Sequence, residues 1–179
     1  HSSNCSSNTT LSVDWAVIRV YYTVAGTPVA ASATLTPSST GTYGQWTSNS
    51  SSSDVSAVST QAGDTKYIDT PASLHSFSMS NFTLPTGATI TSVTVNAVAK
   101  ASAANAPLQL VAEKGTGSSN LYTGPTNTLS NTSSYATTSL VLPTNPLNSN
   151  KAWAASDING MNFGVRTTNG SAIPRVTQL

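Results

Sequence analysis

The densest apolar stretch of the chain is Val-Asp-Trp-Ala-Val-Ile-Arg-Val-Tyr-Tyr-Thr-Val at 13–24. It holds no Gly or Pro and is rich in β-branched and aromatic residues, which predicts one long strand. Ala16, Ile18, Val20, Tyr22 and Val24 fall on one face; Val13, Trp15, Val17 and Tyr21 fall on the other, interrupted by Arg19. Two apolar faces predict cover on both sides. A strand this sticky, left bare, recruits another chain.

Shorter patterns follow. Residues 29–35 alternate, 37–44 are turn-rich, and Trp46 in 43–47 reads as a core aromatic. Residues 48–53 form a Ser/Asn loop, and 54–60 read as a weak strand. Clean alternation predicts strands at 74–79, 88–100 and 107–113, with further strands at 120–122, 135–142 and 161–167. Ser156 and Asp157 before Ile158 predict one short helical turn. About ten short strands spaced by turn signals predict an all-β fold, a two-sheet antiparallel β-sandwich with an extended N-terminal strand and arm.

At the far end, Ser-Ala-Ile-Pro-Arg-Val-Thr-Gln-Leu at 171–179 looks like a strand cut short. It lines up loosely with 11–18, so that Val176 falls on Trp15 and Leu179 on Ile18. The N-terminal copy goes on through Arg19 to Val24; the C-terminal copy does not. This predicts a body, 29–179, with an open acceptor edge at Val176 and Leu179. A donor strand with its linker, 13–28, is spare for a neighbour, through Val13, Trp15, Val17, Ile18, Val20, Tyr22 and Val24. Residues 1–12 are a polar arm.

Composition narrows the function classes. Only 7% of the 179 residues are charged and the net charge is +1, against roughly 25% charged in a typical domain. Ser and Thr supply roughly a third of the chain. There is no basic field for nucleic acid and no apolar run long enough for a membrane span. A chain that opens on His1 rather than Met is expected to be a mature secreted product, extracellular or at the cell surface, with its leader removed. Cys5 stands alone, so it is a free thiol or an intermolecular link.

Reaction chemistry is thinly supplied, and no enzyme activity or cofactor is expected. The acids are Asp14, Asp54, Asp64, Asp69, Glu113 and Asp157, and the histidines His1 and His75. His75 alternates with Phe77 and reads as a surface or edge imidazole rather than a catalytic base. No metal site is expected; Asp64 and Asp69 bracket 66–68 and are weak Ca²⁺ candidates, more simply read as a turn residue and a solvated one. Lys66 and Lys100 are the candidates for an isopeptide with an Asn, which needs a buried acid nearby. Sequons stand at Asn4, Asn8, Asn49, Asn81, Asn131 and Asn169, a number close to chance in so Ser/Thr-rich a chain. Trp15, Trp46 and Trp153 would stack on sugars if exposed, although core packing is the simpler reading of the last two.

The order of several segments is familiar. Trp46, Gly-Asp-Thr-Lys-Tyr-Ile at 63–68, Phe77, Phe-Thr-Leu-Pro-Thr-Gly-Ala-Thr-Ile-Thr-Ser-Val-Thr-Val at 82–95, Tyr135, Pro146, Ala152-Trp153 and Asp-Ile-Asn-Gly-Met-Asn-Phe-Gly-Val at 157–165 recur in sequence. Over 42–179 this resembles a jelly-roll-like β-sandwich repeat of secreted bacterial and archaeal surface proteins and phage structural proteins. The resemblance implies a closing strand of the pattern Val-x-Val-x-Tyr, for which 17–21 is the nearest match. Together these readings lead to the expectation of an extracellular filament or pilus subunit, a homopolymer built head-to-tail by donation of the N-terminal strand. The alternatives are a carbohydrate-binding or adhesin sandwich, which would engage surface glycans, and a phage fibre or decoration domain.

Overall fold

A computed structural model describes residues 18–23, 30–50, 53–71, 73–103, 105–168 and 172–179. Two antiparallel sheets pack face to face, as the alternating sequence predicts. The first has seven strands: β1 (Ile18–Thr23), β2 (Ala30–Leu35), β4 (Thr47–Ser48), β5 (Ile68–Asp69), β7 (Thr89–Ala101), β11 (Ala136–Leu142) and β13 (Pro174–Gln178). The second has six: β3 (Pro37–Gly44), β6 (Leu74–Met79), β8 (Ala106–Glu113), β9 (Leu121–Thr123), β10 (Asn127–Leu129) and β12 (Asn162–Arg166). The core between them holds Val93, Val95, Phe77, Leu108, Leu110, Phe163 and Val165, each at most 1% exposed.

Three local readings are corrected. Residues 54–58 form a one-turn helix, α1 (Asp54–Val58), rather than a strand, because the Ser53 side chain accepts the Ser56 N–H and caps the turn. The turn-rich stretch 37–44 is a strand, β3, with a bulge at 41–43 where its register on β6 shifts. The helical turn near Trp153 exists as α2 (Ala155–Asn159), but Ser156 and Asp157 lie inside it; the Asp157 carboxylate accepts the Ala154 N–H from within the first turn.

β7 is the longest strand and the spine of the first sheet. A bulge opposite Tyr21/Tyr22 shifts its register. This puts both Ile90 and Val93 in the core and leaves Thr91 outside, although strict alternation groups Thr91 with Val93.

Candidate functional site

One edge of β7 carries β11 without interruption, from Ala136↔Ala99 to Leu142↔Val93. The opposite edge is divided. β13 pairs its C-terminal part, from Pro174↔Ala101 to Gln178↔Val98. β1 pairs its N-terminal part, from Arg19↔Thr94 to Thr23↔Thr89. Both run antiparallel to β7, so β1 follows β13 end to end in the same direction. Only Val95, Asn96 and Ala97 of β7 separate the two runs. Two segments from opposite ends of the numbering thus complete a single sheet position.

β1 is held there by burial and by two ladders. Ile18 and Val20 are 1% and 0% exposed, worth about 1.5–3 kcal/mol each in transfer free energy. Tyr22 is half-buried, its ring 6.3 Å from that of Phe82. The second ladder joins β1 to β2, from Ile18↔Leu35 to Thr23↔Ala30. The Thr91 hydroxyl donates to the Tyr21 carbonyl at 3.1 Å. The other face is not covered: Arg19 and Tyr21 are exposed.

In the single chain the expected donor strand occupies a seat of its own body, and the expected acceptor edge is corrected. Ile18, Val20 and Tyr22 lie in their own chain's sheet; Val13, Trp15, Val17 and Val24 are outside the described residues. β1 shares the core of the 29–179 body instead of standing apart from it. Val176 is not at an edge, because β13 lies between β7 and β5, where Val176 faces Ile68. Leu179 is 1% exposed and its N–H donates to the Val58 carbonyl of α1. Thr177 adds a clamp, its hydroxyl donating to the Lys66 carbonyl at 2.9 Å and accepting the Ala62 N–H at 3.1 Å.

The titratable residues form separate polar nodes. His75 is buried, not at a surface or edge. Its Nδ1 accepts the Trp46 N–H at 3.0 Å, so Nε2 carries the proton and donates to Asp54 Oδ2 at 2.8 Å. Burial pushes the imidazole below its ordinary range against the pull of Asp54. Burial of Asp54 works the other way, but hydrogen bonds from Thr40, the Val55 N–H and His75 outweigh it and leave that carboxyl low. With both ring nitrogens occupied, the pair is a brace between α1 and β6.

Glu113, fully buried, accepts from Ser76, the Thr42 N–H and Asn162 through Oε1, and from the Gly115 N–H through Oε2. This node lies under the β3 bulge, outside the second sheet. Sequence patterning gave no sign of it beyond an acid at the end of an apolar strand.

Asp64 and Asp69 are not brought together as a cation site. Asp64 takes Lys100 Nζ at 2.6 Å and the Tyr135 hydroxyl at 3.1 Å. The hydrogen bond from Lys100 holds its carboxyl low, and burial pushes the Tyr135 phenol up. Asp69 faces Arg175 at 3.7 Å, and burial raises its carboxyl. Among the described residues no three metal-ligating side chains cluster. Lys100 therefore meets an exposed, ionised acid, not the buried acid that isopeptide formation needs.

Trp46 and Trp153 are 3% and 5% exposed and belong to the core, with their indole N–H groups bonded to the Ser73 and Leu142 carbonyls. They cannot stack on a sugar; Trp15 and Cys5 lie outside the described residues, as do Asn4, Asn8 and Asn169. Asn49 and Asn131 spend their side-chain amides on neighbouring backbone, which leaves Asn81 as the exposed sequon with an uncommitted side chain among the described residues. No helix among the described residues is long and apolar enough to cross a membrane. Comparison of the chain with family models, with curated proteins and with solved structures finds no match.

Proposed function

We propose that this chain is a structural module of an extracellular filament, assembled head-to-tail by exchange of β1 between neighbouring copies. The observation that carries the reading is the divided edge of β7. β13 is pinned by side chains to the loops around it, whereas β1 is held by its ladders, two core side chains and one hydroxyl. Its connection to the body is the six-residue segment 24–29, about 20 Å when extended. Exchange keeps every native pair, because the incoming strand has the same sequence as the outgoing one. The seat then binds by strand addition, with backbone ladders for affinity and the alternation of Ile18, Val20 and Tyr22 for register. Such an interface runs from one copy to the next without closing, which makes fibres.

Cross-linking tests this directly. Tyr21 faces Ser92 across the β1–β7 ladder. Two proteins, Tyr21→Cys and Ser92→Cys, each with Cys5→Ser, are mixed, unfolded, refolded together and oxidised. Exchange gives a disulfide between the two proteins. If only unlinked chains appear, while the double variant in one chain closes an intrachain bridge, β1 stays at home and the filament reading fails.

A further inference from the structure

Outside the strand seat, one depression stands out on the outer face of the second sheet. It is an open groove of about 580 Å³, within the size range of small-ligand sites. One wall is the β3 bulge, where Tyr43 projects and its hydroxyl accepts the Gly117 N–H at 3.4 Å. The floor is the start of β6 and the end of β12, with Leu74 and Arg166 paired across the ladder. Leu121 at the start of β9 closes the far side.

The chemistry of this groove is one-sided. Arg166 is its only charged lining residue, and no acid joins it. The Arg166 guanidinium has no hydrogen-bond or ion-pair partner among the described residues, in contrast to Arg175, which faces Asp69. Around it stand neutral donors and acceptors: Gln45, Ser118 and Thr168 at the rim, Ser73 and Thr167 beneath. The hydroxyls of Ser73 and Thr167 are buried and unpartnered among the described residues, an uncommon state for such groups. An aromatic and two leucines supply apolar surface beside the cation.

We infer that this groove binds an acidic saccharide, a uronate-bearing glycan whose carboxylate meets Arg166. A guanidinium matches a carboxylate through two parallel hydrogen bonds. A sugar ring presents an apolar face to Tyr43, Leu74 or Leu121, and its hydroxyls exchange bonds with the amide and hydroxyl rim. A neutral sugar fills the same volume but leaves the cation unanswered. This site does not depend on β1 exchange, and it moves sugar recognition away from the tryptophans.

The test is amide-resolved NMR titration of the full chain with digalacturonate and, separately, with the neutral galactose disaccharide and an acidic tetrapeptide. The expected result is shifts at Tyr43, Leu74, Leu121 and Arg166 with digalacturonate, and at least tenfold weaker binding of the neutral sugar. Arg166→Gln is expected to weaken digalacturonate at least tenfold with an unchanged melting temperature, and Arg166→Lys to recover part of the loss. Absence of shifts at millimolar digalacturonate overturns the proposal. So do shifts that map elsewhere, binding that survives Arg166→Gln undiminished, and tighter binding of the peptide than of the uronate.

Discussion

Two long strands of this sandwich each have one edge covered by a pair of short strands laid end to end. On β8 the pair is β9 and β10, which oppose 111–113 and 106–108. These two are consecutive in the chain, joined through Gly124, Pro125 and Thr126, and Gly124 keeps the ladder going by donating its N–H to the Leu110 carbonyl. On β7 the pair is β13 and β1, some 150 positions apart in the numbering. The first break is a bulge in one strand; the second is a joint between two. A bulge is fixed by covalent continuity, whereas a joint is fixed only by what each side buries. The proposed exchange between copies therefore concerns the β7 edge and not the β8 edge.

The strongest way to break this contrast is to remove residues 12–24. The body then exposes the seat from Thr89 to Thr94 and the apolar face beneath Ile18 and Val20. The truncated protein is expected to aggregate or to lose most of its thermal stability, and a synthetic 12–24 peptide added in trans is expected to restore a cooperative melt. A truncated protein that stays monomeric with an unchanged melting temperature would show that β1 is dispensable.

Gly124→Ala probes the other break. A Cβ there meets Leu140 Cδ1 at 2.9 Å and the Leu110 carbonyl at 3.1 Å, so about 1–3 kcal/mol of destabilisation is expected in a denaturant titration. The variant should remain as monomeric or polymeric as the parent, because nothing at the β8 edge can be exchanged. A change in assembly state with Gly124→Ala would erase the distinction between the two edges.

Acid acts on the β13 side of the joint. The folded-state values of His75 and Asp54 are both lowered. The unfolded chain therefore binds more protons over the windows below the ordinary values of 6.5 for His75 and 3.8 for Asp54. Their contribution is present above those values and lost as pH falls through them. Because α1 carries both Asp54 and the Val58 carbonyl that receives Leu179, protection of the Leu179 amide against hydrogen exchange is expected to fall as pH drops from 7 toward 5, after correction for intrinsic exchange. Asp54→Asn should extend the His75-linked part of the stability profile to lower pH, because it removes the carboxylate that pulls the imidazole back up against its burial; an unchanged profile would dissociate the brace from the joint.

The smallest effect is expected for Thr91→Val. It removes one exposed hydrogen bond to the Tyr21 carbonyl, worth about 0.5–1.5 kcal/mol. Hydrogen exchange of β1 amides should quicken while that of β9 and β10 does not.

Most strands were legible from alternation and from β-branched or aromatic runs: β6, β7, β8, β11 and β12 all lie where the pattern puts them, although β6 and β12 are buried on both faces. What alternation cannot see are register shifts. The bulge in β7 moved Ile90 into the core, and the bulge in β3 turned a Gly/Ser/Thr stretch into a wall over the second sheet. The run at 18–23 was legible as a strand, but its place on β7, beside the end of β13, was not. Nor could spacing reveal that Val176 has neighbours on both sides, since β5 is only two residues long. The groove at Arg166 was invisible for a related reason: its residues come from four separate segments, and none carries a motif.

The end-to-end meeting of β13 and β1 also makes the order of segments a matter of wiring. A molecule recut to begin at Ala30, run through Leu179 and cross a short artificial bridge into Ile18–Thr23 would preserve each cross-strand partnership of β1. In that recut form the short bridge tethers the strand beside its own seat, too close to be lent. It would be a natural terminator, able to receive a strand from another copy only by giving up its own.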